Sequence, residues 1–85
     1  MENKRLSKKE RLIDFKQNVL PRLKKLYTVV EHPYFFKIII DHPTYEETFD
    51  YYPMGERISK KIVSKYPIYH WEDLTKDQFI DRFLP

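Results

Sequence analysis

The sequence predicts a mainly α fold, a small single-domain helical bundle over residues 1–85, and three observations carry that expectation. Ser7, Thr44 and Thr75 each open a helix-capping pattern, with Ser7 and Glu10, and Thr44 and Glu47, as S/T-x-x-E capping boxes. Apolar residues then recur at spacings of three and four, the stripe of an amphipathic helix. Proline rather than glycine punctuates the middle of the chain, since Pro33, Pro43 and Pro53 fall ten residues apart and Gly55 is the only glycine.

The elements follow in order. From Ser7 to Glu31 the residues Leu12, Phe15, Val19, Leu23, Leu26 and Val30 form one stripe, which predicts a kinked amphipathic helix over 7–31. Pro21 bends this helix while the stripe stays in phase across it. "YFFKIIID" fits a buried strand or a buried helix between two proline stops, with helix preferred. Tyr45, Phe49 and Tyr52 share one helical face behind the Thr44 cap, and Pro53 ends that helix. Gly55 supplies a turn at φ > 0. Ile58, Ile62 and Val63 line the next helix, with Lys60, Lys61 and Lys65 on its polar side and Pro67 at its end. Thr75 caps a C-terminal helix over 75–84 through Phe79, Ile80 and Phe83. Leu23, Leu26, Ile58, Ile62 and Trp71 are the expected core.

Composition narrows the class. With no cysteine there is no disulfide, thiol nucleophile or thiolate metal site, which fits a reducing, cytoplasmic setting. The longest apolar run, "YFFKIII", contains Lys37 and is too short to span a bilayer, so no membrane partner is expected. The net charge of +3 conceals an asymmetry: residues 1–25 carry +6, residues 26–54 carry −4 and residues 55–85 carry +1. An anionic partner would meet the N-terminal helix and the segment after Gly55 first.

The stretch "TYEETFDYYPMGERISKKIV" resembles a helix-hairpin-helix motif, a small clamp on the DNA backbone. Thr44 stands at the family's capping position, Gly55 at its second hairpin glycine, Met54 at the hydrophobic hairpin position, Ser59 at the small position, and Ile62 and Val63 at the paired apolar positions. The resemblance implies a helix-hairpin-helix-like unit over 44–74 that binds DNA phosphates without reading sequence and without catalysis. Gly55, Arg57, Lys60 and Lys61 would contact the phosphates at a helix N-terminus, with Lys8, Lys9 and Arg11 adding charge. Pro53 replaces the first hairpin glycine and removes one N–H, so the implied binding is weak.

Enzyme chemistry is not expected. The duplicated "EHPYF" and "DHPTY" place Glu31, His32, Asp41 and His42 at a spacing that no helical metal pair uses, so no metal, cofactor or small-molecule substrate is implied. No serine or threonine stands in a nucleophile context. The alternative is a small interaction protein that regulates or inhibits a protein partner. Fourteen aromatic residues in 85 exceed what one small core readily buries, and Tyr, Trp and Arg are the residues that anchor interfaces.

Overall fold

The computed structural model describes residues 6–62 and 68–85. It replaces the helical bundle by a sheet with helices on one side. Helices α1 (Lys8–Asn18) and α2 (Leu20–Leu26) lead into strands β1 (Thr28–Glu31), β2 (Phe36–Asp41), β3 (Glu46–Tyr52), β4 (Arg57–Ile62) and β5 (Ile68–Asp73), and α3 (Lys76–Phe83) closes the chain. The strands pair antiparallel in chain order, a five-stranded meander.

Three expected helices are therefore strands. The segment 34–41 contributes β2, and the region 44–74, expected as a helix-hairpin-helix-like unit, is β3, β4 and β5. Thr44 lies in the β2–β3 loop and caps no helix. The reason is cross-strand pairing: Phe36 lies opposite Tyr51 and Tyr51 opposite Ile58, while Ile38 lies opposite Phe49. These pairs put Phe36, Ile38, Tyr51 and Ile58 on one face, where all four are buried. A helix through either segment would scatter them.

The N-terminal stripe also divides. α1 ends at Asn18, Val19 caps both helices, and Pro21 sits in the first turn of α2, where its missing N–H costs nothing. At Tyr27 the backbone turns extended (φ −136°, ψ 160°), so the helix stops short of Glu31. Ser7 accepts from the Glu10 N–H while the Glu10 carboxylate accepts from the Ser7 N–H, a closed capping box at the start of α1. Thr75 and Gln78 make the same exchange at the start of α3.

The two His-Pro motifs are hairpin loops. His32 N–H donates to the Phe35 carbonyl at 2.9 Å and His42 N–H to the Tyr45 carbonyl at 2.8 Å. In each loop the imidazole stacks on the aromatic ring three residues on, with centroids 4.2 Å apart for His32–Phe35 and 4.3 Å for His42–Tyr45. The repeat is thus one turn design used twice. The third turn, 53–56, holds the glycine, yet Gly55 does not have positive φ; Glu56 does, at 52°. A Cβ on Gly55 would meet only the Arg57 Cγ at 3.9 Å, an ordinary contact.

The core lies between the helices and the inner face of the sheet. Phe15 of α1 touches Phe36, Tyr51 and Phe79 at centroid distances of 4.9, 5.2 and 5.4 Å. Leu23 and Ile58 are buried as expected, but Leu26, Ile62 and Trp71 are 63%, 43% and 45% exposed and belong to the surface. Leu26 closes the last turn of α2, Ile62 ends β4, and Trp71 projects from the face of the sheet that carries no helix. Among the described residues no helix is long and apolar enough to cross a membrane. Val63, Lys65 and Pro67 lie outside the described residues.

Candidate functional site

A sheet with helices on one face needs polar residues on the other, because water covers it. This sheet follows that rule only in part, because aromatic rings stand among its polar residues. The register sets the open face in rows: Phe35, Tyr52, Arg57 and Asp73 across one end, then Val30, Lys37, Asp50, Ser59 and Trp71, then Thr28, Ile39, Thr48, Lys61 and Tyr69. Phe35 and Tyr52 bring rings to the first row and Trp71 to the second, among charged and small polar residues.

The rings form a continuous series. His32 stacks on Phe35 at 4.2 Å and 6°, Phe35 on Tyr52 at 4.9 Å and 23°, and Tyr52 meets Trp71 at 5.4 Å and 40°. Tyr52 reaches Trp71 over β4, where the residue opposite Trp71 is the small Ser59, only 2% exposed. The Arg57 guanidinium lies 5.1 Å from the Trp71 ring centre and 3.7 Å from the Asp73 carboxylate. Beside the series, Tyr34, Tyr52, Met54, Gly55, Arg57 and Trp71 line a shallow hollow of about 380 Å³.

Ring separation and angle decide what this surface can hold. Phe35 is stacked with both His32 and Tyr52, while Tyr52 and Trp71 are tilted at 40° to each other. The Phe35 ring is therefore covered by its neighbours, and Arg57 lies over the Trp71 ring. What remains open is the Tyr34 ring at 66% exposure, the part-exposed Trp71, and two lysines, Lys37 and Lys61, that have no ion-pair partner among the described residues.

Asp50 sits among them. Its Oδ1 is shut off from solvent and accepts no hydrogen bond among the described residues. Burial pushes its pKa up, against the pull of Lys37, His32 and Lys61. A carboxyl whose folded pKa is raised stabilises the fold most at acid pH, and that contribution is lost as pH rises from the ordinary carboxylate range through the folded pKa. Asp50→Asn is therefore expected to raise the melting temperature at neutral pH, with the gain fading toward pH 3. Partial solvent contact screens the effect, so it should stay below about 1 kcal/mol. Melting curves of both proteins across that range check it, and a variant that is less stable at neutral pH would show that the carboxylate is held by favourable contacts.

The residues the sequence assigned to a phosphate contact are not gathered into one patch. Lys60 and Lys61 are adjacent in β4 and so point to opposite faces. Lys60 lies on the helix side, 3.0 Å from Glu47 and 5.7 Å from the Phe49 ring centre, and Lys61 on the open face. Lys60 and His42 both hydrogen-bond Glu47 and hold its carboxyl below the usual range, Lys60 more strongly. Arg57 is committed to Trp71, and Gly55 lies in a hairpin turn rather than at a helix N-terminus. Arg11 is half-buried: its Nε and Nη2 donate to the Met54 carbonyl at 3.1 and 2.5 Å, its Nη1 to the Leu6 carbonyl at 2.7 Å, and Glu56 lies 3.7 Å away. Lys8 and Lys9 are exposed on the first turn of α1. Among the described residues no three of His, Cys, Asp and Glu cluster as a metal site would require.

A larger hollow of about 470 Å³ opens between α1, the β3–β4 turn and the start of α3. Four of its five charged groups pair, Arg11 with Glu56 and Lys76 with Asp14, the last pair at 2.8 Å, and Asp77 stands at the α3 start. They leave little for a ligand to engage. No family model, curated protein or solved structure matches the chain.

Proposed function

We propose that the protein is a non-catalytic interaction module that takes a protein partner on the open face of its sheet. The observation that supports this reading is the row of half-buried His32, Phe35 and Tyr52 with the exposed Trp71, flanked by the exposed Tyr34 and Tyr69, on the face that the helices leave bare. Contiguous exposed apolar surface costs free energy in water and is a mark of an interface, and Tyr, Trp and Arg are the residues that anchor one. The free charges suggest the partner's chemistry. Among the described residues Lys37 and Lys61 have no ion pair, Asp50 is partly withdrawn and Arg57 lies 3.7 Å from Asp73, so the complementary surface is a large apolar side chain flanked by carboxylates.

Trp71 is the only tryptophan, so its emission reports directly on this surface. Short peptides with alternating acidic and aromatic residues are expected to shift that emission saturably, and peptides with lysine in place of the acids are not. Tyr52→Ala should abolish the response while leaving the fold intact. A response equal for both peptides, or unchanged in Tyr52→Ala, removes the reading.

One further observation favours a second reading, binding of a polyanion such as nucleic acid. Lys8, Lys9, Lys16, Arg22 and Lys25 on α1 and α2 have no ion-pair partner among the described residues. Lys9 and Lys16 share one helix face, seven residues apart. If random duplex DNA binds with a steep loss of affinity as salt rises, and Lys9→Glu with Lys16→Glu removes it, this reading replaces the first.

A further inference from the structure

The sheet has two edges, and they differ. β1 is short, four residues, and its end is tied by Glu31 to Lys24. β5 is six residues long, every one of them exposed, with Ile68, Tyr69 and Trp71 at 56%, 53% and 45%. It carries no lysine or proline, which keep a strand edge from pairing, and its two charged residues, Glu72 and Asp73, stand together at one end.

The ladder phase shows which backbone groups are free. Leu74 N–H donates to the Glu56 carbonyl at 2.8 Å, continuing the series in which Glu72 lies opposite Ile58 and His70 opposite Lys60. In an antiparallel pair hydrogen-bonded and non-bonded positions alternate. Ile68, His70 and Glu72 therefore bond to β4, while Tyr69, Trp71 and Asp73 turn their N–H and C=O groups to the outer edge.

We propose that this edge pairs antiparallel with β5 of a second copy of the chain, about a twofold axis at His70, to make one continuous sheet. Opposed residues must lie on the same face, so an isologous pair can be centred on His70 or on Trp71 but not between them. Centring on His70 sets Tyr69 opposite the second copy's Trp71 twice on the open face, joining the two aromatic rows, and sets Glu72 opposite Ile68. It also keeps the acidic ends of the two strands far apart. Centring on Trp71 gives one ring pair and brings the two Glu72 carboxylates to diagonal neighbours, a repulsive arrangement. This inference rests on the edge and not on the nature of any ligand, so the peptide titration and the test below can fail separately.

The chain has no cysteine, which makes single-cysteine variants clean probes. His70 would face its counterpart at a non-hydrogen-bonded position, where Cα atoms approach to about 4.5 Å, within disulfide reach. Sedimentation of the wild type should show a dimer that dissociates on dilution. His70→Cys should crosslink rapidly under mild oxidation, while Lys16→Cys, on the exposed face of α1, should not. Tyr69→Lys, at an exposed position, should remain folded by circular dichroism and become monomeric. A wild type that stays monomeric at high concentration, crosslinking no faster at His70→Cys than at Lys16→Cys, or crosslinking at Trp71→Cys in its place overturns the proposal.

Discussion

Phe15→Ala is expected to lower the unfolding free energy by about 3 to 5 kcal/mol, the range for removing a fully buried phenylalanine. Phe15 is 1% exposed and is the point where both ends of the chain and the sheet meet. It contacts Phe36 on β2, Tyr51 on β3 and Phe79 on α3. The cavity cannot close by moving one neighbour, because each is held elsewhere. Tyr51 donates its hydroxyl to the Leu74 carbonyl at 3.0 Å, and its ring lies 4.4 Å from Phe79, which in turn stacks on Phe83 at 4.6 Å. Lys76 and Asp14, paired at 2.8 Å, hold the start of α3 against α1, and hydrogen bonds from Lys76 first and Asn18 second keep the Asp14 carboxyl below its ordinary range. For a domain of this size the loss approaches the whole stability, roughly 5 to 10 kcal/mol. Urea melts should show a midpoint shifted far down with an unchanged slope. A loss under about 1 kcal/mol would mean that α1 does not pack on the sheet as described.

The helices at the two ends were legible from local signals, because capping is a local interaction. Ser7 and Thr75 each needed only a partner three residues away. The same signal at Thr44 misled, since Glu47 instead accepts from His42 and Lys60 across a hairpin and a strand pair. Helical spacing misled for a related reason. Tyr45, Phe49 and Tyr52 fall at four and three, but on β3 Phe49 and Tyr52 face opposite sides, one into the core against Phe83 and one into the open-face row against Phe35. On β2 the outward Ile39 stands between the inward Ile38 and Ile40, so the alternation of polar and apolar residues that marks a strand is lost and "III" reads as a buried run. The available signal was the prolines. Pro33, Pro43 and Pro53 each stand in a four-residue loop, and strand-length segments at ten-residue spacing between turn residues are the mark of a meander. The proposed interaction surface was legible only as an excess of aromatic residues, since its rings come from the β1–β2 loop, β3 and β5 and meet only through the register.

Leu23→Ala and Leu26→Ala are expected to part sharply, although one helical stripe contains both. Leu23 is completely buried, and its truncation should cost about 2 to 5 kcal/mol. Leu26 is 63% exposed, and the same change there should stay within about 0.5 kcal/mol. The difference arises one residue further on. A helix running to Glu31 would carry Leu23, Leu26 and Val30 along one side, but Tyr27 leaves the helical conformation and starts the path into β1. Its ring turns inward instead, lying edge-on to Phe83 at 6.0 Å with its hydroxyl donating to the Phe83 carbonyl at 2.9 Å. Tyr27 thus occupies the inward place that the stripe assigned to Leu26, and Leu26 closes the last turn of α2 against solvent. Thermal and urea melts of the two variants in parallel measure this directly. Comparable losses at both positions would show that the helix continues through Tyr27 and that β1 does not form, whereas a loss at Leu23 alone places the end of α2 where the sheet begins.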